Sequence, residues 1–393
     1  MKSPMLKLLG LMAVLIGGGE AVARYVLGVT PAPLVADDML AAPLGKFVEF
    51  DRTLGMRYKP NVDVLLDAPS GDFSILFKTN EIGLRDRPMG THLRSELKFL
   101  VFGDEFVEGW GTDIDETMVV NAQRLINEKT ALKPPVRLVI GGKSGYGAAQ
   151  NLLLARRLVD ELKPRGIVFV YSPLMPHADH RFLQHAQLDD GLATGLGDAA
   201  PTLPPWPHAT DRPRNADNPL RALAPRSALA SWLAARWSSH QMARDQPPGD
   251  PARDRLAGMR AGDATLEGTL TPTLRHIKAL AALAQAHELP FMLIHLPLAP
   301  QVAADEWPIG RALFGIPAAR QPAADTAIVS AFCAKEGLRC LALHEFLQQA
   351  AAAPDTLPLY HASEIGLTVD GSRLLGVWLG QMLFDWMGEL KLR

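Results

Sequence analysis

The side chains with the clearest chemical potential lie where an apolar run passes through a turn into a predicted helix. The run ends at Phe102 and continues as Gly103-Asp104-Glu105-Phe106-Val107-Glu108-Gly109-Trp110-Gly111. A strand that enters a helix in this way forms an elbow, and the elbow presents one side chain at its tip, here Glu105. A serine at that place can attack a carbonyl carbon. A glutamate cannot act by the same route, because its acyl product would be an anhydride and it brings no alcohol to activate. Whether this protein is an enzyme therefore depends largely on Glu105.

Two other roles for Glu105 are open on chemical grounds. It could act as a general acid or base if the elbow is apolar enough to raise its pKa. A two-carboxylate site of the glycosidase type needs a second acid opposite the first, and Glu364 is the best candidate in the sequence. We favour the simpler interpretation, in which Glu105 is a solvated or hydrogen-bonded side chain in a cleft that performs no reaction.

Further polar residues invite a chemical interpretation but have simpler ones. Ser144 lies in a glycine-rich loop, residues 141–147, where it could be a displaced nucleophile; a small residue that permits a tight turn explains it better. The histidines His177, His180 and His185 could bind a divalent cation. We interpret them as residues of a solvated loop, since neither a cysteine nor a second histidine-rich segment accompanies them.

Composition and the N-terminus indicate where the protein works. The chain has 393 residues, 48% of them apolar, and a formal charge of −2, so a large core is expected and nothing points to nucleic acid. Lys2 and Lys7 precede a mainly apolar stretch in which Glu20 and Arg24 lie one helical turn apart, where they can pair. The stretch is about long enough to span a bilayer. Residues 1–29 therefore predict a membrane anchor with an exported body, and a cleaved signal peptide is the alternative.

Alternating apolar and amphipathic segments follow the anchor. Residues 30–90 read as a connector and a β-rich segment, and residues 91–393 as an α/β domain with an insertion at about 178–268. Short apolar runs without a period of two are typical of parallel strands covered on both faces. We predict a doubly wound, flavodoxin-like, mostly parallel five-stranded sheet with flanking helices, an N-terminal membrane helix and a helical or irregular insertion. The predicted strands are 97–102, 136–140, 167–171, 291–295 and 338–343, and the predicted helices are 116–129, 148–162, 227–242, 271–287, 325–336 and 371–386.

The two cysteines, Cys333 and Cys340, lie on a predicted helix and on the strand after it. We interpret them as small buried side chains. A disulfide is the alternative in an oxidising compartment.

Several segments together resemble the SGNH (GDSL-type) hydrolase family, in particular its membrane-anchored bacterial branch. The elbow from Gly103 to Gly111 is similar to the family pattern Gly-Asp-Ser-Phe-x-x-Gly-x-Gly at every fixed position except the serine. The segment 77–86, the triplet 145–147 and the stretch 368–371 agree in order and spacing. Apart from the insertion, the resemblance covers most of the chain.

The resemblance implies a serine nucleophile on the elbow, a glycine and an asparagine as oxyanion donors, and a late Asp-x-His pair as orienter and base, by the logic of a serine–histidine–carboxylate site. In this sequence the nucleophile position is Glu105, with Asp104 beside it serving the turn, and the glycine donor is Gly142. The asparagine position holds Leu174 or Met175.

The late pair falls on Glu364 and Gly366, so that an acid remains and the imidazole is missing. His361 lies before the expected base but finds no serine to deprotonate. Nucleophile and base act as a unit, and their joint loss leaves no hydrolytic chemistry. The residues that we expect to line the degenerate pocket are Asp104, Glu105, Gly142, Ser144, His361 and Glu364.

We therefore expect a pseudoenzyme, since the fold alone does not carry the family reaction. The protein is expected in the cytoplasmic (inner) membrane as a single-pass protein, with its main domain on the extracytoplasmic side. Its partners would be the membrane, through the N-terminal helix, and a glycan ligand or a protein of a membrane complex. We expect no cofactor, no metal and no nucleic acid. The alternative is an active esterase or O-acyltransferase on carbohydrate esters with a relocated nucleophile.

Overall fold

The computed structural model describes residues 14–26, 47–68, 71–90, 96–130, 134–196, 220, 222–223, 226–234, 266–313, 316, 319–321 and 323–392. Its strands are β1 (Val48–Asp51), β2 (Gly55–Tyr58), β3 (Asp63–Asp67), β4 (Ser74–Lys78), β5 (Leu97–Phe102), β6 (Val136–Ile140), β7 (Gly166–Tyr171), β8 (Ala186–Asp189), β9 (Leu192–Leu196), β10 (Phe291–His295) and β11 (Arg339–Ala342). Its labelled α-helices are Glu105–Glu108, Met118–Lys129, Ala148–Leu162, Met175–Leu183, Leu266–Ala286, Ala299–Val302, Pro308–Leu313, Ala324–Glu336, His344–Ala351 and Val369–Glu389.

The central sheet has five strands in the order β11-β10-β7-β5-β6, and all of its pairings are parallel. This is the flavodoxin-like order, in which the direction of winding reverses between β5 and β7. Every residue of β6 and β7 is buried, because helices cover both faces of the sheet. The predicted fold class is confirmed, and β5, β6 and β10 have the predicted bounds.

The helix Ala148–Leu162 also has the predicted bounds, and the remaining predicted elements differ at their ends. The helix predicted from 271 begins at Leu266, so that Pro272 lies inside it. The helix His344–Ala351 was not predicted. Of the predicted helix 227–242, residues 228–234 are helical, Ser227 precedes them, and residues 235–242 lie outside the described residues.

The β-rich segment before the sheet forms two antiparallel hairpins, β1–β2 and β3–β4. We call residues 47–90 the N-terminal module. Its aromatic side chains form a separate apolar cluster that includes Tyr58, Phe77 and, from the elbow, Trp110. The module therefore packs on the elbow, at the carboxyl end of the central sheet.

The predicted insertion is only partly a separate feature. Helix Met175–Leu183 and the hairpin β8–β9 pack against the main domain, and the Ala193 amide donates to His276 Nε2 at 3.1 Å. These elements share the apolar core under helix Ala148–Leu162, and the helix agrees with the expected helical or irregular character of the segment. Residues 197–219 and 235–265 lie outside the described residues.

The predicted membrane helix is not confirmed. Residues 14–21 are α-helical and Val22–Val26 is a π-helix, and Arg24 pairs with Glu20 at 2.9 Å as expected. Among the described residues, no helix combines the length and apolar character needed to cross a bilayer. Glu20 also accepts hydrogen bonds from the amides of Ala228 and Leu229, which begin the helix at 228–234. The remainder of the predicted anchor, residues 1–13 and 27–29, lies outside the described residues.

Cys333 and Cys340 form a disulfide with Cα atoms 6.2 Å apart. The bond ties the end of helix Ala324–Glu336 to the edge strand β11. The interpretation of two unbonded buried cysteines is thus wrong, although Cys333 is buried.

Gly111 gives a test of how tightly the N-terminal module and the elbow pack together. Its φ is +89°, and a Cβ there would lie 2.3 Å from His361 Nε2 and 2.9 Å from the Phe73 ring. Gly71, in the β3–β4 hairpin, has a φ of +80° but nothing within 4 Å of the added atom. We expect Gly111→Ala to lower the free energy of unfolding by about 2 kcal/mol more than Gly71→Ala, because both changes strain the backbone and only the first also overpacks. Urea denaturation of the two variants measures this difference, and equal losses would contradict the packing described here.

Candidate functional site

The predicted elbow is present. Glu105 is the first residue of helix Glu105–Glu108, directly after β5 and the turn at Gly103–Asp104. Asp104 caps the helix by accepting from the Phe106 amide, and Gly109 ends it in the left-handed conformation that favours glycine, with φ of 78°. The local signals of cap, short helix and terminal glycine therefore fold as the sequence indicates.

Glu105 is not presented to solvent. Its exposure is 2%, and Oε2 accepts from the Gly145 amide at 3.5 Å. The loop after β6 therefore lies against its carboxylate. The expectation that the elbow presents Glu105 to solvent is wrong. From the sequence we interpret Glu105 as either a solvated or a hydrogen-bonded side chain, and the structure shows the hydrogen-bonded state.

Gly142, the inherited oxyanion position, is needed for close packing. A Cβ there would lie 2.6 Å from Val107 Cβ and 3.1 Å from the Asp104 carbonyl oxygen. Gly103 is constrained by the same side chain, with 2.4 Å to Val107 Cγ2. The two glycines let helix Glu105–Glu108 sit against the ends of β5 and β6.

Asp104 occupies the point where the direction of the sheet's winding reverses. Ser172, which follows β7, donates a hydrogen bond to Asp104 Oδ2 across this point. Burial, followed by the neighbouring charge of Glu105, raises the pKa of Asp104 well above its usual value. Ligands of doubly wound folds bind in the crevice at such a reversal, but here the two side chains bond to each other across it.

Glu108 is the centre of a buried network that sequence reasoning missed. It has no exposed surface. Its Oε1 accepts from Tyr58 Oη at 2.6 Å, and its Oε2 accepts from the Ser144 amide. Because Glu108 falls on a variable position of the family pattern, no motif marked it. The available signal was a second carboxylate one helical turn after Glu105.

Arg85 joins the N-terminal module to the end of the elbow. Its guanidinium is fully buried and donates to the carbonyl oxygens of Glu108 and Gly109 at 2.7 Å each, and also to the Thr112 carbonyl at 2.5 Å. The side chain also lies 5.0 Å from the centre of the Phe77 ring. An arginine can satisfy several carbonyls at once through its planar fork of donors.

Lys143 supplies a cation beside these carboxylates. It is buried, with Nζ 4.4 Å from the centre of the Tyr58 ring and 5.2 Å from that of Tyr146. Burial lowers its pKa to about 8, and the charges of Glu108 and Glu105 oppose that shift. Tyr58 shows the complementary effect, since burial and then Glu108 raise its pKa well above 10.0.

Ser144 takes no part as a nucleophile in this arrangement. Its amide binds Glu108, and its Oγ finds no hydrogen-bond partner among the described residues. The interpretation as a small turn residue agrees with this placement.

The late segment does not supply a base. A Cβ on Gly366 would lie 2.6 Å from the Trp110 carbonyl oxygen, so a side chain at the inherited base position would collide with the elbow's own backbone. His361 is buried against Gly111 and Phe73, and burial lowers its pKa. The structure thus places His361 on the flank of the elbow, next to the N-terminal module.

Glu364 lines a small pocket to which Glu105 does not contribute. That pocket is lined mainly by apolar side chains, among them Phe106, Trp307 and Tyr360. The Glu364 amide donates to Asp72 Oδ2 at 2.7 Å, which fixes the segment against the β3–β4 hairpin. The structure gives no support to a two-carboxylate site of Glu105 and Glu364.

The two positions at which the resemblance implies an asparagine hold apolar residues, and both lie in apolar surroundings. Leu174 and Met175 are buried in the cores on opposite faces of the sheet. No side-chain amide is therefore offered to an oxyanion by these two residues.

Two of the three histidines near residue 180 do not lie in a solvated loop. His177 and His180 belong to helix Met175–Leu183, in which His177 and Asp179 are buried, whereas His185 is an exposed residue of the turn that follows. Asp179 accepts from the Ala149 amide at 2.8 Å and from Thr273 Oγ1 at 2.6 Å. Among the described residues, this segment forms no group of three metal-ligating side chains.

Comparisons with known proteins give structural neighbours only. No family model matches the chain, and no curated protein matches it. It is similar to a psychrotrophic esterase from Pseudoalteromonas, with 11% identity, a TM-score of 0.37 and coverage of 75% of this chain and 100% of that one. It is also similar to a lipase/acylhydrolase from Enterococcus faecalis, with 12% identity, a TM-score of 0.37 and coverage of 74% and 96%.

A further similar structure is a GDSL-like lipase from Bacteroides thetaiotaomicron, with 13% identity, a TM-score of 0.31 and coverage of 74% and 88%. These neighbours are thus an esterase, a lipase/acylhydrolase and a GDSL-like lipase. At these identities and TM-scores the likeness assigns no activity to this chain.

The buried lysine leads to a prediction about pH. Because Lys143 has a pKa of about 8 in the folded protein against an ordinary value of 10.5 for lysine, the folded state loses this proton first as the pH rises. Stability contributed by this group therefore increases with pH above about 8. From pH 7 to pH 9, we expect the wild type to gain about 1 kcal/mol relative to Lys143→Met, which has no titrating group there. Urea denaturation at the two pH values measures this, with the exposed Lys163→Met as the control; a constant difference would refute the shift.

Proposed function

We propose that this chain is a non-catalytic member of the SGNH (GDSL-type) hydrolase family that acts as an accessory subunit of the cell envelope. The observation that carries the proposal is the burial of the elbow: Glu105 stands at the nucleophile position with 2% exposure, and its carboxylate accepts from the Gly145 amide. A side chain buried in this way offers no surface to a substrate carbonyl.

The rest of the inherited machinery supports the same conclusion. Gly366 brings no imidazole and leaves no space for one. Leu174 and Met175 bring no side-chain donor. Nucleophile and base cooperate in such sites, so neither contributes without the other. A role for the protein as an interaction subunit uses its outer surface and is compatible with a closed elbow, whereas a glycan would need the pocket to be open.

The competing function, an esterase or acyltransferase, requires a relocated nucleophile with an imidazole in reach. One described hydroxyl of this kind is Thr326, whose Oγ1 lies 3.2 Å from His344 Nε2. His344 follows β11, while Gly142 follows β6 at the opposite edge of the sheet. With strands ~4.8 Å apart, these edges are roughly 19 Å from each other, so the inherited glycine donor cannot serve that hydroxyl.

Catalytic inactivity is tested with a fluorophosphonate probe, which labels any activated serine. We expect no labelling of the purified full chain and no turnover of short-chain aryl esters. The esterase from Pseudoalteromonas, whose solved structure is inhibited by monoethylphosphonate, serves as the positive control. Glu105→Ser should stay silent too, because it restores a hydroxyl without a base. Labelling or ester turnover that Ser144→Ala or His361→Ala abolishes would overturn the proposal.

We further propose that residues 1–29 anchor the protein in the cytoplasmic membrane and that the main domain lies on the extracytoplasmic side. The lysines before the apolar stretch support this orientation. The Cys333–Cys340 disulfide supports an oxidising compartment independently.

The location is tested with a C-terminal fusion to a reporter enzyme that becomes active only when its own disulfides form. We expect an active reporter in the membrane fraction for the full chain, and an inactive, soluble reporter when residues 1–29 are deleted. A full-length fusion that is inactive, although it is produced at the same level, would contradict export.

A further inference from the structure

A second group of titratable side chains lies at the carboxyl end of the sheet, away from the elbow. His295 is the last residue of β10, and His344 opens the helix that follows β11. Asp325 lies in the first turn of helix Ala324–Glu336. All three side chains are buried, with exposures of 2%, 8% and 0%. They belong to elements far apart in the sequence, and the sheet brings them together.

Their ligand atoms have the spacing of a metal site. One atom from each residue lies within 4.8 Å of the other two. His295 Nε2 is 3.0 Å from Asp325 Oδ2, and the two imidazole rings are 4.6 Å apart at an angle of 81°. Nitrogen and oxygen ligands about 2.1 Å from a tetrahedral zinc ion lie roughly 3.4 Å from one another. A small contraction of the group would therefore complete the coordination.

The hydrogen bonding of the group is incomplete in a way that a cation would resolve. Neither ring nitrogen of His295 makes a hydrogen bond within the described part of the chain, although Nε2 faces a carboxylate oxygen at 3.0 Å. His344 Nδ1 also finds no partner there. Buried polar atoms normally have a hydrogen-bond partner, so a buried polar atom without one needs an explanation, such as an ion that is bound there. Here the exceptions are two imidazoles that converge on one carboxylate.

The charge of Asp325 points the same way. Among the described residues, Asp325 pairs with His295, and its other hydrogen bonds come from neutral groups: Tyr171 Oη donates at 3.2 Å and Gln301 Nε2 at 3.5 Å. A buried carboxylate is costly without a cation.

The surrounding groups orient the ligands. Thr326 Oγ1 lies 3.2 Å from His344 Nε2, and a hydrogen bond from that nitrogen to the hydroxyl leaves Nδ1 as the lone-pair donor. Tyr171 and Gln301 hold the Asp325 carboxylate. Metal-binding histidines and carboxylates are typically held by such secondary hydrogen bonds.

We propose that His295, Asp325 and His344 form a binding site for one divalent transition metal ion of the zinc class, with a fourth coordination position open to water. Two imidazoles and one carboxylate suit such ions better than magnesium or calcium, which prefer oxygen ligands. The site is independent of the proposed accessory function, since it shares no residue with the elbow. Sequence reasoning missed it because three single residues at 295, 325 and 344 form no local motif.

The test uses the purified full chain, stripped with a chelator and titrated with Zn²⁺ and separately with Co²⁺. We expect one equivalent of tightly bound metal by elemental analysis and visible absorption bands from bound Co²⁺. His344→Gln should lose the bands and weaken binding by at least about 100-fold, whereas Thr326→Val, which keeps all three ligands, should weaken it about 10-fold. The exposed His287→Gln should bind as the wild type does.

Two results would overturn the proposal. One is a wild-type chain that binds less than a tenth of an equivalent at metal concentrations well above those of the protein. The other is one equivalent bound equally by His344→Gln. If His344→Gln fails to fold, the Co²⁺ spectrum of the wild type and the affinity of Thr326→Val decide, because neither requires removal of a ligand.

Discussion

The closed state of the elbow depends on Arg85. Its guanidinium lies between the N-terminal module and the turn after the elbow helix, and it satisfies backbone carbonyls at Glu108, Gly109 and Thr112. These carbonyls lie at and just after the end of a four-residue helix. In so short a helix most backbone carbonyls have no hydrogen-bond donor within the helix itself. A buried arginine is costly unless its donors are used. The module and the elbow therefore stabilise each other, and the closed arrangement of the site follows from this contact.

The polar groups around Arg85 form a consistent electrostatic design. Glu108 balances Arg85 and Lys143, and Tyr58 donates its hydroxyl proton to Glu108 instead of being exposed to water. Each charge is buried next to an opposite charge or a hydrogen-bond donor. The carboxylates of Glu105 and Glu108 bond to backbone amides of the loop after β6, so they also hold that loop against the elbow.

The sequence predicted the architecture better than the site. β5, β6 and β10 were predicted to the residue, because runs of apolar residues bounded by Pro, Gly and charged residues are sufficient to mark a strand covered on both faces. The elbow followed from Gly103-Asp104 and Gly109. The burial of Glu105 did not, because it depends on tertiary contacts such as the one with the Gly145 amide in the loop after β6. Sequence reasoning did not identify three further features for the same reason, since no residue spacing marks them: Arg85, Glu108 and the His295–Asp325–His344 group.

Asp72 connects two regions that are almost a full domain apart in the chain. Its Oδ2 accepts from the Ser363 amide and hydroxyl, each at 2.8 Å, with a separation of 291 residues, and from the Glu364 amide. Long-range contacts of this kind form late, since closing the intervening loop must precede any gain from them. A chain that emerges with its N-terminus first cannot make this contact until nearly all of it has been released. Until then the Phe73 ring also lacks its contact with His361, so this side of the N-terminal module gains its packing among the last steps of folding.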